Sequence, residues 1–494
     1  MSTPRLISLD YRTPGRMEEA LLALYHKDMV GQERAIRHAV RQILYARAFD
    51  GGLRTDDQVA AKMLCFGPPG SGKTFIAETT AKSTLGSRRA MFKVNCTEFQ
   101  QEHETADFLG SPRGYVRTDE PPILTQWTLD EPAFLAEKNN PKLLEEKALR
   151  DRIAELKKKL TAITARIKEG GFKGDERRII EENFRRTDEE LQRIRERHDA
   201  CQERNGKDPE LKDIKESYDP KHPYFSILLF DEIEKAHPSF IKMLFPILDK
   251  AELKLKSQVK PEHGGPVVRF CNTFIFFSSN IGERKIMEIV QGNEGGIGFK
   301  PRTDATSEQL RKLSESTRKQ IFHAGYGELK KILPAPFLSR VGENNIHALA
   351  SLMFPDMLEC LKRITIPDLQ ERLRKVFPIT LDFTEQAQTH IIAEVSDPNK
   401  RILGMRALKD EVKKVEEYVQ SLAIKSPEEG GIVAGDHVIV DAEGRNGDKD
   451  IVIKVQERDP ATAPPARKKT PSQSKSGSQT ESRIAIPPLY GLDT

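Results

Sequence analysis

Short apolar runs and longer apolar periodicities alternate along the chain. Four apolar runs bounded by polar residues, glycine or proline indicate buried strands, at residues 63–66, 90–96, 225–232 and 273–277. A helix after residue 26 is predicted by apolar residues at helical spacing, namely Ile36, Val40, Ile43 and Leu44. Residues 1–26 contain Pro4 and Pro14, so we expect an N-terminal arm without a long regular element there.

Charged residues predominate between Pro141 and Ser217, and the sparse apolar positions there follow a regular pattern. Steps of four and three separate the members of two series: Leu149, Ile153, Leu156, Leu160, Ile163 and Ile167, then Ile180, Phe184, Thr187, Leu191, Ile194 and His198. This heptad pattern predicts a coiled coil, and the glycine-rich residues 170–174 between the series predict an antiparallel hairpin. Arms of about 25 residues would be about 35 to 40 Å long. The charges beside the seam nearly cancel, which favours a solvated face over a dedicated binding stripe.

A glycine-rich loop follows the first apolar run in a pattern that binds phosphate. Its residues are Gly67, Pro68, Pro69, Gly70, Ser71, Gly72, Lys73 and Thr74. Glycines allow backbone N–H groups to surround phosphate oxygens, Lys73 can reach the terminal phosphates, and the Thr74 hydroxyl can complete a Mg²⁺ shell. A strand before the loop and a helix after it are both indicated, so a nucleotide site is favoured over a chance glycine loop.

Two carboxylates end the third apolar run. Asp231 could hold Mg²⁺ beside the phosphate loop, and Glu232 could polarise the attacking water as a general base. The fourth run is followed by Ser278, Ser279 and Asn280, and the Asn280 amide could orient the same water. ATP and Mg²⁺ are therefore the expected ligands of this site.

Composition restricts the remaining classes of protein. The chain has 494 residues, 79 Lys and Arg against 75 Asp and Glu, and a net charge of +4, a near balance that does not call for nucleic acid. We find no apolar stretch of about eighteen residues and no signal-peptide pattern, so we expect no membrane insertion, no export and a cytoplasmic location. The five cysteines are widely scattered, which argues against a disulfide framework or a zinc site.

Further motifs accompany the phosphate loop in a fixed order. They are Val30-Gly31-Gln32, Gly114-Tyr115-Val116, residues 227–237 (ILLFDEIEKAH), Ser279-Asn280-Ile281-Gly282, Pro336-Phe337-Leu338-Ser339-Arg340 and residues 403–409 (LGMRALK). Together they resemble the second ATPase module of the Clp family of AAA+ unfoldases and disaggregases, from about residue 29 to about residue 456. The resemblance implies an α/β fold: a P-loop ATPase with a parallel sheet, an inserted antiparallel coiled-coil hairpin and a mostly helical C-terminal lid domain.

The resemblance also implies roles that the residue types alone leave open. It implies a homo-oligomeric ring, normally a hexamer, in which Arg340 reaches the terminal phosphate bound by a neighbouring subunit. From its residue type and position alone, Arg340 could equally be a surface cation. Arg406 would sense the nucleotide from the lid, Asn280 would act as the first sensor, and Val30 would contribute to the nucleotide site.

The loop that contains Tyr115 and Val116 would, by the same resemblance, project into the central pore and grip an extended polypeptide. Arg117 stands where the family usually has glycine, so the pore would be more basic. The segment before and after Arg340 also departs from the family pattern, at Pro336, Ser339 and Gly342. The coiled coil lies elsewhere in the sequence than the middle domain of the disaggregases, so no function is transferred to it.

Two apolar segments suggest contacts with partners. Ile297, Gly298 and Phe299 lie where protease-coupled Clp unfoldases carry a tripeptide that docks on a peptidase ring, although a glycine-rich surface loop is the alternative. Residues 458–482 are rich in Pro, Ser, Lys and Thr, which predicts disorder. Residues 484–492 (IAIPPLYGL) are apolar, which predicts docking on a partner or on the ring; an apolar tail that binds nonspecifically is the alternative.

These patterns predict six regions: an N-terminal arm (1–26), the first part of the AAA+ large domain (27–135), the coiled-coil insertion (136–219), the second part of the large domain (220–345), the small lid domain (346–457) and the tail (458–494). Within the lid, apolar patterns predict a helix over 355–376, a strand over 379–383, helices to about residue 422, and strands over 437–440 and 450–455.

The favoured function is an ATP-driven unfoldase or remodelling motor that threads polypeptide through its pore. A partner peptidase or adaptor would bind the loop at residues 297–299, the coiled coil or the C-terminal peptide; a stand-alone disaggregase is the alternative. A nucleic-acid motor or clamp loader is a second hypothesis, supported by the slightly basic charge and Arg117. A nucleotide-switched scaffold is a third, against which the intact Asp231 and Glu232 pair argues.

Overall fold

A computed structural model describes residues 15–48, 57–110, 122–169, 175–222, 224–257, 259, 263–293, 307–350, 352, 354–395, 404–424, 431–443 and 450–456. The strands are β1 Ala61–Phe66, β2 Phe92–Asn95, β3 Ser226–Asp231, β4 Glu252–Lys254, β5 Val267–Arg269, β6 Thr273–Ser279, β7 Ile346–Ala348, β8 Thr380–Phe383, β9 His437–Glu443 and β10 Asp450–Gln456. The four strands predicted from apolar runs in the large domain are therefore confirmed as β1, β2, β3 and β6.

Helices form the larger part of the described chain. They are α1 Arg16–Asp28, α2 Glu33–Ala48, α3 Lys73–Leu85, α4 Glu104–Leu109, α5 Gln126–Lys138, α6 Pro141–Glu169, α7 Asp175–Gly206, α8 Pro209–Glu216, α9 Pro238–Met243, α10 Phe245–Lys250, α11 Glu283–Asn293, α12 Ser307–Ile332, α13 Ala335–Val341, α14 Phe354–Cys360, α15 Ile366–Val376, α16 Glu385–Val395 and α17 Met405–Ile424. A π-helical turn, Leu361–Thr365, joins α14 to α15. Among the residues that the structure describes, none of the helices combines the length and the apolar character needed to cross a bilayer.

A five-stranded sheet in the order β2-β3-β6-β1-β7 organises the large domain. All its pairings are parallel, so the strands end at one common edge. The sheet is covered on both faces, because alternate residues of β3 enter different apolar clusters: Leu228 and Phe230 on one side, Ile227 and Leu229 on the other. This confirms the predicted α/β fold with a parallel sheet and explains why its strands are continuously apolar.

A second, smaller sheet and four helices form the lid. Strand β8 pairs in parallel with β9, which pairs antiparallel with β10. These strands and α14 to α17 share an apolar cluster that includes Leu369, Ile392, Leu408 and Val440. The predicted helices and strands of this region are present.

Two sequence predictions on element boundaries are wrong. The N-terminal arm predicted for residues 1–26 contains α1, whose Leu22 and Tyr25 are buried against α2 and α3. Pro14 precedes this helix and does not interrupt it, which is where proline is compatible with helix structure. Residues 346–348, predicted to begin the lid, instead form β7 and pair with β1 at the edge of the large sheet.

Helices α6 and α7 form the insertion and pack antiparallel. The ion pairs Arg152–Glu190 (2.5 Å) and Arg204–Glu145 (2.8 Å) join them, with partners that run in opposite directions along the two helices. Among the predicted seam residues, Leu149, Leu156 and Leu191 are buried, and most others are half-buried; Ile167 is 41% exposed. The helical hairpin is thus observed, and the coiled-coil character of its packing stays a prediction.

The base of the hairpin is anchored by a compact aromatic cluster. Trp127 and Phe134 of α5 contact Tyr218 edge to face, and Tyr218 stacks on Tyr224. Asp130 lies within this cluster, 2% exposed, and accepts hydrogen bonds from Gln126 Nε2 (2.9 Å), Tyr218 Oη (3.1 Å) and Ser226 Oγ (2.9 Å). Since Ser226 begins β3, Asp130 of α5 links Tyr218 at the hairpin base to an interior strand of the sheet.

Candidate active site

The phosphate loop connects β1 to α3 at the carboxyl edge of the sheet. Gly67 has a φ of +145°, and a Cβ atom there would lie 2.1 Å from the Leu349 carbonyl oxygen, so only glycine fits. Helix α3 begins immediately after Gly72, which places its free backbone N–H groups at the loop. The Ser71 hydroxyl is buried and has no hydrogen-bond partner among the described residues. An anion with several acceptor oxygens, such as a phosphate chain, suits this set of donors.

Lys73 is folded into the loop that precedes it. Its Nζ atom donates to the carbonyl oxygens of Gly67 (2.9 Å) and Pro68 (2.8 Å). Burial lowers the pKa of Lys73 to about 8, and the nearby carboxylates of Glu234 and Asp231 act in the opposite direction. The amine therefore stays mainly protonated at neutral pH and can serve as a phosphate-binding cation.

Asp231 lies at the end of β3 between the phosphate loop and β6. Its Oδ1 atom accepts hydrogen bonds from the hydroxyls of Thr74 (3.2 Å) and Ser278, and its Oδ2 atom pairs with Lys93 Nζ at 2.6 Å. Burial alone would raise the pKa of Asp231, but the Lys93 ammonium and the hydroxyl donors outweigh it and lower the pKa below its usual value. Asp231 is thus held as a carboxylate beside the Thr74 hydroxyl.

Glu232 adopts an unusual backbone conformation, with a φ of +58°. Such left-handed conformations cost free energy in residues other than glycine and are concentrated at functional sites. The Glu232 N–H donates to Ser278 Oγ (3.0 Å), and Asn280 Nδ2 donates to Glu232 Oε1 (3.0 Å). The side chain is therefore turned toward the end of β6 and oriented by the Asn280 amide.

The lid touches the phosphate loop directly. A Cβ atom on Gly404, which has a φ of +52°, would lie 2.9 Å from the Gly70 carbonyl oxygen, and the Met405 N–H approaches that oxygen at 3.4 Å. Arg406, the next residue of α17, is exposed near this contact. Helix α17 thus begins at the phosphate loop.

The Val30 segment links the same loop to the lid. Val30 is buried in the lid cluster, and Gln32 Nε2 donates to the carbonyl oxygens of Ala350 (2.7 Å) and Ser71 (3.3 Å). The segment therefore contacts the phosphate loop, the chain after β7 and the lid at once, which is where a nucleotide base could be enclosed.

Arg340 lies apart from this cluster, on α13. Its Nε donates to Asp249 (2.8 Å), its Nη1 donates to the Pro336 carbonyl oxygen (3.1 Å), and its guanidinium lies 4.3 Å from the centre of the Phe245 ring. These partners belong to α10 and α13. With about a third of its side chain exposed, Arg340 is fixed in place at the surface rather than buried.

The structure thus brings together Lys73, Thr74, Asp231, Glu232 and Asn280, places Val30 and Arg406 beside them on the lid side, and separates Arg340. The other predicted site residues, Tyr115 and Val116 of the pore loop and Ile297, Gly298 and Phe299 of the peptidase loop, lie outside the described residues, as do the hairpin turn and the C-terminal peptide.

Two residues at the centre of the site were not singled out from the sequence. Lys93 and Ser278 reach Asp231 from β2 and β6, the two strands that flank β3. Each occurs at or near the end of a predicted strand, and this position is the only feature of the sequence that could have pointed to them. Their convergence depends on the strand order, which the local patterns do not contain. Glu234, which accepts from the Asn280 N–H at 2.9 Å, was quoted only as part of a motif.

Comparison with known proteins identifies the class. The family model described as "AAA domain (Cdc48 subfamily)" matches residues 58–133 and 157–344, just over half of the chain. The chain belongs to this family of AAA domains. The matched residues include the phosphate loop, Asp231, Glu232, Asn280 and Arg340.

Similar curated proteins carry Clp names. The chloroplastic ATP-dependent Clp protease ATP-binding subunit ClpA homolog of Brassica napus is 25% identical over 429 residues, 87% of this chain and 34% of that protein. Chaperone protein ClpB of Aquifex aeolicus is 24% identical over 416 residues, 84% of this chain and 29% of that protein. Chloroplastic chaperone protein ClpC1 of Arabidopsis thaliana is 24% identical over 429 residues, 87% of this chain and 32% of that protein. The chain spans about a third of the length of these relatives. The family match makes the chain an AAA+ ATPase, and its sequence is similar to those of these Clp proteins.

Proposed function

We propose that the chain is the ATP-hydrolysing subunit of a Clp-type protein-remodelling motor. ATP is hydrolysed at the subunit boundaries of a hexameric ring, and the resulting motion pulls a polypeptide through the central pore. The observation that carries the proposal is the cluster at the carboxyl edge of the sheet, beside which the lid helix α17 begins. A site of this kind can hydrolyse ATP and transmit the state of the nucleotide to a second domain.

Glu232 accepts the proton of the attacking water in this proposal. The hydrogen bond from Asn280 fixes the carboxylate at the end of β6, so the base is oriented before the nucleotide arrives. Lys73 compensates the charge on the terminal phosphates, and the N–H groups at the start of α3 bind their oxygens.

Thr74 and Asp231 are the residues that would hold Mg²⁺. Their oxygens lie 3.2 Å apart, and a hydroxyl with one carboxylate is a donor set that suits this ion when phosphate oxygens supply further ligands. Among the described residues there is no group of three or more His, Cys, Asp or Glu side chains that could hold a metal alone, consistent with an ion that arrives with the nucleotide. When bound, Mg²⁺ would neutralise charge on the phosphates.

Arg340 and Arg406 extend the site beyond one large domain. Arg340 is held at the surface by Asp249 and Phe245, which makes it accessible to the nucleotide of a neighbouring copy. A cation there would stabilise the charge that develops on the transferred phosphoryl group. Arg406 would respond to the same group from the lid and couple hydrolysis to lid rotation.

The polypeptide substrate and the peptidase partner are proposed from the sequence and from the names of the relatives. Tyr115 and Val116 would grip the polypeptide, and residues 297–299 would dock on a peptidase ring. The names of the ClpA relatives, as ATP-binding subunits of a Clp protease, support a peptidase partner; the name of ClpB, a chaperone, supports stand-alone remodelling as the alternative.

Stimulation of ATP hydrolysis tests the proposal. We expect a permanently unfolded protein, such as reduced and carboxymethylated lactalbumin, to raise the hydrolysis rate of the full chain. Tyr115→Ala should abolish this stimulation and leave the basal rate within about twofold, because the loop residue takes no part in phosphate chemistry. The matched control is Tyr45→Ala, at an exposed tyrosine on α2, which should keep the stimulation. Stimulation by DNA or RNA and not by unfolded protein would instead support the nucleic-acid motor.

A further inference from the structure

The outer half of the helical hairpin carries an apolar groove between α6 and α7. The groove has a volume of about 370 Å³ and is lined by Leu160, Thr161, Thr164, Ala165, Phe184 and Asp188. It begins roughly 30 Å along α6 from Pro141, at the helical rise of about 1.5 Å per residue. It is therefore remote from the apolar cluster at the hairpin base.

The polar atoms in this groove are mostly already satisfied. Thr161 Oγ1 donates to the Lys157 carbonyl oxygen (3.0 Å) and Thr164 Oγ1 to the Leu160 carbonyl oxygen (2.7 Å), so both hydroxyls are bonded to their own helix. Asp188 is the one charged lining residue, and its Oδ2 atom receives a long contact from Gln192 Nε2 at 3.4 Å. The groove thus suits an apolar segment with a cation at one end.

The chain itself contains such a segment. Residues 484–492 include two isoleucines, two leucines and a tyrosine, and Arg483 stands immediately before them. We propose that residues 484–492 dock in the hairpin groove, with Arg483 paired to Asp188. The segment fits an apolar floor that its own apolar side chains can cover, and Pro487 and Pro488 favour an extended form that loses little entropy on docking.

A long connecting chain joins this segment to the described structure. The described structure ends at Gln456, and 27 residues, 457–483, lie between it and the segment. A chain of that length has a root-mean-square span of about 30 Å when flexible and can extend to about 90 Å. The 29 residues of α6 measure about 44 Å. Residues 457–483 contain no Val, Ile, Leu, Met or aromatic residue that could compete for the groove.

In this proposal residues 484–492 contact the hairpin of their own chain and not a peptidase or a substrate. This inference does not rest on the proposed function, because neither the groove nor the segment belongs to the nucleotide site. It gives the hairpin groove a defined ligand, residues 484–492. A partner that binds the groove would have to displace this peptide.

Site-specific photocrosslinking in the full chain tests the docking. With p-benzoylphenylalanine in place of Tyr490, we expect crosslinks in peptides that contain residues 160–165 or 184–188, identified by mass spectrometry. Phe184→Glu should lower their yield at least tenfold. The matched control is Arg185→Glu on the neighbouring, solvent-facing position, whose side chain is 73% exposed, and this variant should keep the crosslinks.

A charge reversal keeps the test independent of hairpin folding. Asp188→Arg and Arg483→Glu should each reduce the crosslink yield, and the double variant should restore it. Crosslinks confined to the large domain or the lid, a yield unchanged by Phe184→Glu, or no rescue in the double variant would overturn the proposal.

Discussion

An aspartate lies at each end of strand β3: Asp231 is its last residue, and Asp130 of α5 accepts a hydrogen bond from its first residue, Ser226. The pKa values of the two carboxyls are shifted in opposite directions. At the carboxyl end Asp231 accepts two hydroxyl hydrogen bonds and pairs with the Lys93 ammonium, and its pKa is lowered. At the other end Asp130 accepts three hydrogen bonds from neutral groups, and burial raises its pKa to about 7. The number of hydrogen bonds therefore does not explain the difference between the two pKa values.

The presence of a cationic partner accounts for the difference. Neutral donors compensate only part of the cost of burying a carboxylate, whereas an ammonium 2.6 Å away outweighs it. One end of the strand thus keeps a permanent negative charge where a metal and nucleotide would bind. The other end joins the hairpin to the sheet with a group that can be neutral. The same residue type serves chemistry in one place and architecture in the other.

The largest expected effect is the difference in ATP hydrolysis rate between the Asp231→Asn and Asp130→Asn variants. We expect Asp231→Asn to lower the ATP hydrolysis rate on the order of a hundredfold or more, because it removes the carboxylate that would hold Mg²⁺. Asp130→Asn should leave the rate within about twofold. The amide can still accept from Gln126 and Tyr218 and donate to the Ser226 hydroxyl. Steady-state hydrolysis at saturating ATP measures both, and a comparable loss in the two variants would remove the distinction.

The pH dependence of stability should sharpen the comparison. The pKa of Asp130 is about 7 in the folded chain and about 4 when unfolded, so between these values the folded state binds more protons. The contribution of Asp130 to the free energy of unfolding therefore falls as pH rises from about 4 to about 7, by at most about 1.4 kcal/mol per pH unit. Asp130→Asn removes this slope.

Urea unfolding at pH 5 and pH 8 measures that effect. The wild-type chain should exceed the Asp130→Asn variant in free energy of unfolding by more at pH 5 than at pH 8. The paired difference cancels other titrating groups, including His347, whose pKa burial lowers to about 3. An equal difference at both pH values would show that Asp130 does not titrate in this window.

The smallest expected effect is on the free energy of unfolding, when the hydrogen bond from Tyr218 to Asp130 is removed. Tyr218→Phe removes one hydrogen bond and keeps the ring against Trp127 and Phe134, so we expect a loss of about 1 kcal/mol in the free energy of unfolding. The hydrolysis rate should be unchanged. Tyr418→Phe, at an exposed tyrosine of α17, is the control and should be neutral. A change in hydrolysis for Tyr218→Phe would mean that the hairpin base influences the nucleotide site.

Much of the nucleotide site could be predicted because its signals are local. Glycines in a loop after an apolar run, and two carboxylates at a strand end, are each contained within a few consecutive residues. Lys93, Ser278 and Asp130 could not be assigned in this way, since their roles depend on which strands and helices become neighbours. Strand β7 was missed for the same reason: three residues become a strand only by pairing with β1. Helix α1 was not predicted because Pro4 and Pro14 disfavour a regular element, although apolar residues follow Pro14.

Single-turnover ATP hydrolysis by Glu232→Gln tests the central claim most directly. The substitution keeps the size of the side chain and its contact with Asn280 but removes the base that would accept the proton of water. We expect a fluorescent ATP analogue to bind with unchanged affinity while the hydrolysis rate falls at least about a hundredfold. Glu288→Gln, on the exposed side of α11, is the matched control and should hydrolyse normally. Hydrolysis by Glu232→Gln within a few-fold of the wild-type rate would contradict the assignment of this cluster as the ATP-hydrolysing site.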